Sequence, residues 1–327
     1  MRIVITGGGG FLGHRLAKAL LARGTLAAAD GTARSINKIV LLDAAFPSDA
    51  AKDARLEMVT GDVSNAKTVM NVVTPDTNSV FHLAAVVSGA AEADFELGMR
   101  VNLDGTKVLL ERCRQCTRPP RLVYASSVAA FGGDLPKVLD DSTTPAPQTS
   151  YGTQKVIGEY LISDYSRKGF IAGRSLRLPT IVVRPGKPNA AASSFASGIV
   201  REPLNGVVSE CPVAAQTGIW LLSPKRVVEA FIHAHELPAE KWGVHGAVNL
   251  PGITASVAEV VQALKRIAGE AVAKRVVFKQ DARIQAIVRT WPVRFETPRA
   301  RGMGFRADDN IETVIRDYIT DEGIKVS

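Results

Sequence analysis

The chain opens with short apolar runs separated by polar and amphipathic stretches. Arg2–Thr6 and Lys38–Asp43 are dominated by apolar residues, which predicts two buried strands. Phe11–Arg23 has apolar positions at helical spacing and is followed by Gly24, which predicts a helix that ends there. The polar stretch Gly24–Lys38 is expected to form an inserted loop.

The same alternation continues through the first half of the chain. The further predicted strands are Leu56–Thr60, Ser79–Val87, Arg121–Ala125 and Arg174–Val183, and the further predicted helices are Phe95–Arg114 and Tyr151–Arg167, with Ser150 as a candidate N-cap. Strands that alternate with helices predict parallel βαβ units with helices on both faces of the sheet. The predicted fold class is therefore α/β, with a Rossmann-type doubly wound parallel sheet.

The second half of the chain is less regular. Pro, Ala, Ser and Gly are frequent in Pro185–Gln216, which predicts loops with short helices. The other predicted elements are helices at Arg226–Glu236, Ser256–Ala268 and Asp309–Tyr318 and a strand at Ala247–Leu250. We expect residues 1–184 to form the Rossmann domain, with a returning segment near 218–250. Residues 185–327 are expected to form mainly a smaller C-terminal α/β lobe.

Composition narrows the possible classes of protein. The 327 residues are 46% hydrophobic and 22% charged, which argues against global disorder. The net charge is +8, but no block of Lys and Arg and no basic stripe with aromatics stands out, so no nucleic-acid partner is expected. No apolar run approaches the ~18 residues of a spanning helix, so no membrane association is expected.

Three cysteines do not make a disulfide scaffold and fit a reducing compartment. The chain starts directly with a strand and a glycine loop rather than with a secretion signal, which favours a cytoplasmic location. Cys113 and Cys116 lie in a predicted helix with no second pair, so no metal site is predicted.

The strongest local motif follows the first strand and opens the first helix. Gly7 allows a tight turn, Gly10 lets the backbone approach a pyrophosphate, and Gly13 lets the helix pack closely against the strand. The start of the helix then offers N–H groups and positive dipole to phosphates. This context predicts a dinucleotide site, because the glycine pattern has a strand before it and a helix after it.

Acidic residues follow the next two strands. Asp43 closes the second strand, where a carboxylate accepts hydrogen bonds from ribose hydroxyls and disfavours a 2′-phosphate, which indicates NAD rather than NADP. An ordinary exposed Asp after a strand is the alternative. Asp62 and Val63, after the third strand, are candidates to cover the adenine.

A candidate proton-transfer site lies further along the chain. Tyr151 and Lys155 are four residues apart, so on a helix they share one face. A phenol titrates near ~10, but a neighbouring ammonium favours the phenolate, which makes Tyr151 a candidate acceptor for an alcohol proton. Ser126 and Ser127 follow the fifth strand, and Ser127 can hold the same oxygen. Lys155 can also reach a nicotinamide ribose.

Taken together, these motifs resemble the extended short-chain dehydrogenase/reductases, the NAD-dependent epimerase/dehydratase family. The resemblance covers nearly the whole chain and is carried by Thr6–Gly13, Phe81–Ala85, Asn102, the Ser-Ser-x-x-x-Phe-Gly stretch at 126–132, and Tyr151-x-x-x-Lys155. It implies a catalytic triad of Ser127, Tyr151 and Lys155, in which Gly132 selects Ser127 rather than Ser126. Phe131 stands where the family usually has Tyr, which is a mild departure.

The resemblance also implies the cofactor and the assembly. The NAD contacts implied beyond the glycines and acidic residues come from Phe11, Leu12, Leu83, Ala84, Ala85, Asn102, Ser126, Tyr151, Lys155, Pro179 and Thr180. It assigns NAD binding to the Rossmann domain and substrate binding mainly to the second lobe. A homodimer through helices 95–114 and 151–167 is implied as well.

The substrate is expected to be a small anionic sugar acid. The chain resembles most closely those members of the family that oxidise a four-carbon sugar acid at C2, above all over Leu178–Ser197. Arg184 is the candidate anchor for the carboxylate, since arginine binds carboxylates through two parallel hydrogen bonds. Ser88, Asn189 and Ser193 are candidates for binding hydroxyl groups. An exposed loop arginine is the alternative interpretation of Arg184.

Three functions remain open at this stage. The first is an NAD-dependent oxidation of a 2-hydroxy sugar acid, and the second is a nucleotide-sugar epimerase that uses the same triad with retained NAD. The third is a dinucleotide sensor without catalysis, which the presence of both Tyr151 and Lys155 disfavours. A 4,6-dehydratase is excluded, because Val128 and Ala129 stand where such enzymes carry Asp-Glu for proton transfer.

Overall fold

The computed structural model describes residues 1–28, 30–47, 53–186, 193–243 and 246–326. The strands are β1 (Arg2–Thr6), β2 (Thr25–Ala27), β3 (Ala33–Ser35), β4 (Lys38–Asp43), β5 (Leu56–Thr60), β6 (Ser79–His82), β7 (Arg121–Ser127), β8 (Ala172–Leu178), β9 (Thr180–Ile181), β10 (Ser209–Cys211), β11 (Gly218–Leu222), β12 (Val248–Asn249), β13 (Ile253–Ser256) and β14 (Val276–Phe278).

The helices are α1 (Phe11–Arg23), α2 (Ala66–Val72), α3 (Ser88–Ala93), α4 (Phe95–Gly98), α5 (Gly105–Cys113), α6 (Ser150–Arg167), α7 (Ser194–Leu204), α8 (Pro224–Glu236), α9 (Ala239–Trp242), α10 (Val257–Ala268), α11 (Glu270–Ala273), α12 (Ala282–Val288), α13 (Pro298–Gly302) and α14 (Ile311–Asp321). A π-helical segment, Met99–Asp104, joins α4 to α5, and one 3-10 turn, Val128–Ala130, follows β7.

The central sheet confirms the predicted Rossmann-type fold. Its strand order is β12-β8-β7-β6-β1-β4-β5. β1 runs parallel to β4 and β6, β4 parallel to β5, and β6 parallel to β7. The chain therefore moves outward from β1 on one side and returns to β6 on the other. The point where that direction reverses is where open α/β sheets bind ligands, outside the carboxyl ends of their strands.

Burial explains why the strand runs are continuously apolar. Ile3, Val4 and Ile5 of β1 have no exposed surface, as expected for a parallel strand covered by helices on both faces. On one face, Val4 belongs to a buried cluster that includes Leu109 of α5 and Ile162 of α6. These contacts fix the two helices that flank the candidate site.

The described chain divides into two compact units. The first consists of Met1–Ala130, Thr149–Arg177 and Val228–Val248, and the second of Phe131–Gln148, Leu178–Val227 and Asn249–Ser327. The assignment of NAD binding to residues 1–184, with a return near 218–250, and of substrate binding mainly to residues 185–327 remains a prediction.

The second unit has its own core and small sheets. Its three-stranded sheet has the order β13-β11-β9, and β10 pairs with β14. Ile199 of α7, Leu221 of β11, Leu264 of α10 and Ile315 of α14 are fully buried in one cluster. The predicted amphipathic helix at 256–268 is confirmed as α10, with Ser256 as its N-cap in a capping box with Glu259.

Two predicted strands are shorter than expected. The strand predicted at Arg174–Val183 stops at Leu178, and Thr180–Ile181 pairs with β11 in another sheet instead. Pro179 lies at the break. Proline has no N–H group to donate to a strand ladder, which explains why the strand ends there. The strand predicted at Ser79–Val87 ends at His82, after which the chain leaves the sheet.

Three further predictions are corrected in the first unit. The stretch at 24–38, expected to be a loop, contains the antiparallel hairpin β2–β3. The helix predicted at 95–114 is interrupted by the π-helical segment. The N-cap of α6 is Thr149 rather than Ser150, because the Thr149 hydroxyl accepts a hydrogen bond from the Gly152 N–H group at 3.1 Å. Among the described helices, none has both the length and the apolar character needed to cross a membrane.

Candidate active site

The glycine loop forms a tight cradle between β1 and α1. Gly7 has a φ of +73°, and a Cβ atom there would lie 2.7 Å from the backbone nitrogen of Ala84. A Cβ atom at Gly13 would lie 2.2 Å from the Gly7 carbonyl oxygen. Gly10 is the N-cap of α1, and its own backbone N–H group points to the Gly7 carbonyl oxygen at 3.2 Å. The loop therefore brings bare backbone to the start of a helix, which fits a pyrophosphate.

Asp43 lies against this loop at the end of β4. Its carboxylate accepts a hydrogen bond from the Gly9 N–H group at 2.9 Å. Asp62, after β5, accepts hydrogen bonds from the Ser64 N–H and hydroxyl groups at 2.8 Å and pairs with Arg100 at 3.1 Å. Val63 is buried.

The predicted cofactor residues follow one edge of the sheet. Five of them lie at or just after the carboxyl ends of five parallel strands. These are Gly7 at β1, Asp43 at β4, Asp62 at β5, Leu83 at β6 and Ser126 at β7. The parallel pairing places these ends side by side. Phe11 and Leu12 open α1 beside the same loop. The arrangement offers an extended ligand a row of contacts across the reversal point between β1 and β6.

Lys155 is held at the centre of the candidate catalytic group. Its side chain is 2% exposed, and its Nζ donates to the carbonyl oxygen of Ala125 in β7 at 2.8 Å. The same Nζ lies 5.6 Å from the ring centroid of Tyr151 and 4.7 Å from that of Tyr124. Burial lowers the pKa of Lys155 to about 7, although the Glu159 carboxylate opposes this effect. The predicted common face of Tyr151 and Lys155 is therefore present on α6.

The two adjacent serines have different environments. Ser126 is 2% exposed and donates its hydroxyl to the buried Glu159 carboxylate. Ser127 is the last residue of β7 and is more exposed, and its Oγ accepts a hydrogen bond from the Ala129 N–H group at 3.1 Å. The side chain of Ser126 is thus directed into the interior, while that of Ser127 lies where the strand ends.

A buried ion pair that the sequence reasoning missed supports this arrangement. Arg177 of β8 donates to the Glu159 carboxylate through Nε at 3.0 Å and Nη2 at 2.7 Å. Glu159 is four residues after Lys155 and eight after Tyr151, so helical spacing places all three near one face. That spacing is the signal the sequence offers, because a charged residue on a buried helix face requires a partner of opposite charge.

Asn102 lies in the π-helical segment and holds the chain that follows β6. Its Oδ1 accepts from the Val86 N–H group at 2.8 Å, and its Nδ2 donates to the Val86 carbonyl oxygen at 3.1 Å. The predicted contacts Leu83, Ala84 and Ala85 lie just before this clamp, and Ser88 begins α3 just after it.

The second unit brings two of the predicted substrate residues together. Arg184 donates from Nη2 to the Ser193 hydroxyl at 3.1 Å and from Nε to the Ile181 carbonyl oxygen at 3.1 Å. The backbone N–H group of Arg184 is bound by the Ser197 hydroxyl at 3.0 Å. Asn189 lies outside the described residues. Pro179 is buried, and Thr180 begins β9 in the same unit.

Comparison with known proteins gives consistent matches over the whole chain. The model of the NAD-dependent epimerase/dehydratase family matches residues 3–237. A D-erythronate dehydrogenase of Cupriavidus necator is 54% identical over 99% of this chain and 99% of its own length. A D-erythronate dehydrogenase of Haemophilus influenzae is 43% identical over 98% and 99%. The crystal structure of the nucleoside-diphosphate-sugar epimerase from Agrobacterium tumefaciens has a TM-score of 0.93 at 39% identity and covers 100% of this chain and 96% of that chain.

Proposed function

The chain belongs to the NAD-dependent epimerase/dehydratase family, and on that premise we propose that it oxidises D-erythronate to 2-oxo-erythronate with NAD. The observation that carries the proposal is the 54% identity over essentially the full length to a D-erythronate dehydrogenase, because it spans both units rather than the glycine loop alone. The Tyr151–Lys155 pair supplies the chemistry that such an oxidation needs.

Oxidation of the substrate alcohol removes two hydrogens. The hydroxyl hydrogen leaves as a proton, and the hydrogen on C2 leaves as a hydride. NAD supplies the hydride acceptor when it is bound. Tyr151 accepts the hydroxyl proton, and the nearby Lys155 ammonium favours the phenolate form. Ser127 donates a hydrogen bond that orients the reacting oxygen.

Most of the cofactor contacts in this proposal come from the first unit, and Pro179 and Thr180 come from the second. The glycine loop binds the pyrophosphate, Asp43 binds the adenine ribose, and Asp62 and Val63 cover the adenine. The remaining contacts come from Phe11, Leu12, Leu83, Ala84, Ala85, Asn102, Ser126, Tyr151, Lys155, Pro179 and Thr180. For the substrate, Arg184 binds the carboxylate, while Ser88, Asn189 and Ser193 bind hydroxyl groups.

We further propose a homodimer built from the helices at 95–114 and 151–167. Phe95 and Tyr160 are aromatic side chains on these helices and are 55% and 66% exposed. Aromatic residues are enriched in protein interfaces. Size-exclusion chromatography with light scattering measures the mass in solution, and a monomeric mass at micromolar concentration would contradict the dimer.

We also propose a cytoplasmic location, which fits the free thiols of Cys113, Cys116 and Cys211.

The alternative is a nucleotide-sugar epimerase, which is favoured by the name of the structure from Agrobacterium tumefaciens. The two functions differ in net redox chemistry, since an epimerase with retained NAD forms no net NADH. The purified protein should be mixed with NAD and a panel of C3 to C5 sugar acids, with UDP-glucose as contrast, and NADH followed by its absorbance. NADH formation with D-erythronate supports the dehydrogenase, whereas conversion of UDP-glucose without NADH supports the epimerase.

A further inference from the structure

Gln154 forms a second buried link between the catalytic helix and the chain that follows β6. Its side chain is 1% exposed, and its Oε1 accepts a hydrogen bond from Asn102 Nδ2 at 2.7 Å. Asn102 in turn binds both backbone polar groups of Val86. Two side-chain amides thus connect α6, the π-helical segment and the chain leading away from β6.

The fit around Gln154 is close on its other side. A Cβ atom at Gly98 would lie 2.9 Å from Gln154 Nε2, so any larger residue at this position would force the amide to shift. Nε2 has no hydrogen-bond partner among the described residues. A buried amide N–H group without a partner costs stability, so packing alone would favour an apolar side chain of similar size. The amide oxygen, which accepts the hydrogen bond from Asn102, is therefore the group whose function has to be explained.

The link lies between the two parts that must meet for catalysis. Gln154 directly precedes Lys155 and is three residues after Tyr151. At the other end, Val86 follows the stretch Leu83–Ala85, whose backbone lies against the glycine loop at Gly7. The interrupting π-helical segment widens the helix at Asn102, and such segments occur often at functional sites.

We propose that Gln154 is a positioning residue that sets the place of Tyr151 and Lys155 relative to the NAD-binding stretch Leu83–Val86. The proposal rests on the proposed function. The Gln154 side chain acts through Asn102 and does not touch substrate. Because the reacting atoms of an oxidation must be aligned closely, a small displacement of α6 slows the chemical step more than it weakens binding.

The direct test is Gln154→Met, which keeps the length of the side chain and removes the acceptor oxygen. We expect kcat with D-erythronate to fall by about 10-fold to 100-fold. The dissociation constant of NAD should change much less than kcat, because the contacts of the glycine loop and Asp43 are untouched. The deuterium isotope effect on kcat with D-[2-²H]erythronate should increase, since the chemical step becomes more rate-limiting. Thr153→Ala, an exposed neighbour on α6, is the matched control and should keep wild-type kinetics.

Gly98→Ala disturbs the same contact from α4, because the added Cβ atom displaces the Gln154 amide. It covers the case in which Gln154→Met does not fold. It should lower kcat and raise the isotope effect in the same way. A folded variant of either kind with the wild-type kcat overturns the proposal, as does a lower rate that matches the lost fraction of folded protein with an unchanged isotope effect. The proposed function fails if the wild type forms no NADH in the same assay. The role of Gln154 fails if the wild type is active and a folded variant has the same kcat.

Discussion

Replacing Glu159 by Gln removes the negative charge from a buried ion pair beside the catalytic face of α6. The Glu159 and Arg177 side chains are 6% and 11% exposed. In Glu159→Gln the guanidinium of Arg177 stays buried and loses the opposite charge of Glu159. Removing one partner of a buried pair costs about 3–5 kcal/mol in the free energy of unfolding.

An exposed pair on the same helix provides the control. Asp164 and Arg167 are 57% and 67% exposed in their side chains, so Asp164→Asn should cost less than about 1 kcal/mol. Urea unfolding followed by tryptophan fluorescence gives both values by linear extrapolation. Equal losses in Glu159→Gln and Asp164→Asn would refute the reasoning. The double variant Glu159→Leu/Arg177→Met should recover much of the loss, because it removes both buried charges together.

Three further predictions follow from the site and its burial. Tyr151→Phe should lower kcat by at least about 100-fold while NAD binding, measured by fluorescence titration, is kept; near-normal turnover would remove Tyr151 as the base. Arg184→Ala should raise the KM for D-erythronate by about 10-fold to 100-fold with little change for NAD, and an unchanged KM would exclude Arg184 from the pocket. Burial lowers the pKa of His82 and of His235 from 6.5 to about 3. The unfolded chain therefore binds more protons between these values, and stability should fall as the pH falls below about 6.5. At pH 5 each histidine should have cost about 2 kcal/mol, which urea unfolding at pH 7 and pH 5 measures; equal stabilities would contradict it.

The elements predicted well are those whose signal is local. β1 and α1 begin and end as predicted, because a continuous apolar run and a helix closed by Gly24 in the left-handed conformation are both visible in the local sequence. The shared face of Tyr151 and Lys155 follows from helical spacing in the same way. The parallel sheet follows from the alternation of strands and helices.

The features that were missed depend on partners far away in the sequence. The strand predicted at 79–87 ends at His82, and both backbone polar groups of Val86 are instead bound by Asn102, which lies in a different element. In the sequence, Glu159 and Gln154 are polar positions on α6 without a visible partner. In the structure, Glu159 binds Arg177 and Gln154 binds Asn102, and both partners belong to other elements. Spacing along one helix shows which side chains share a face, and it carries no information about what packs against that face.

The position of the transferred hydride tests the central proposal most directly. D-[2-²H]erythronate should be turned over with NAD, and the NADH that forms should be examined by mass spectrometry. Oxidation at C2 predicts one deuterium in the nicotinamide of each NADH and a 2-oxo acid without the label. NADH that forms without deuterium would contradict oxidation at C2. If no NADH forms at all, the enzyme does not oxidise this acid.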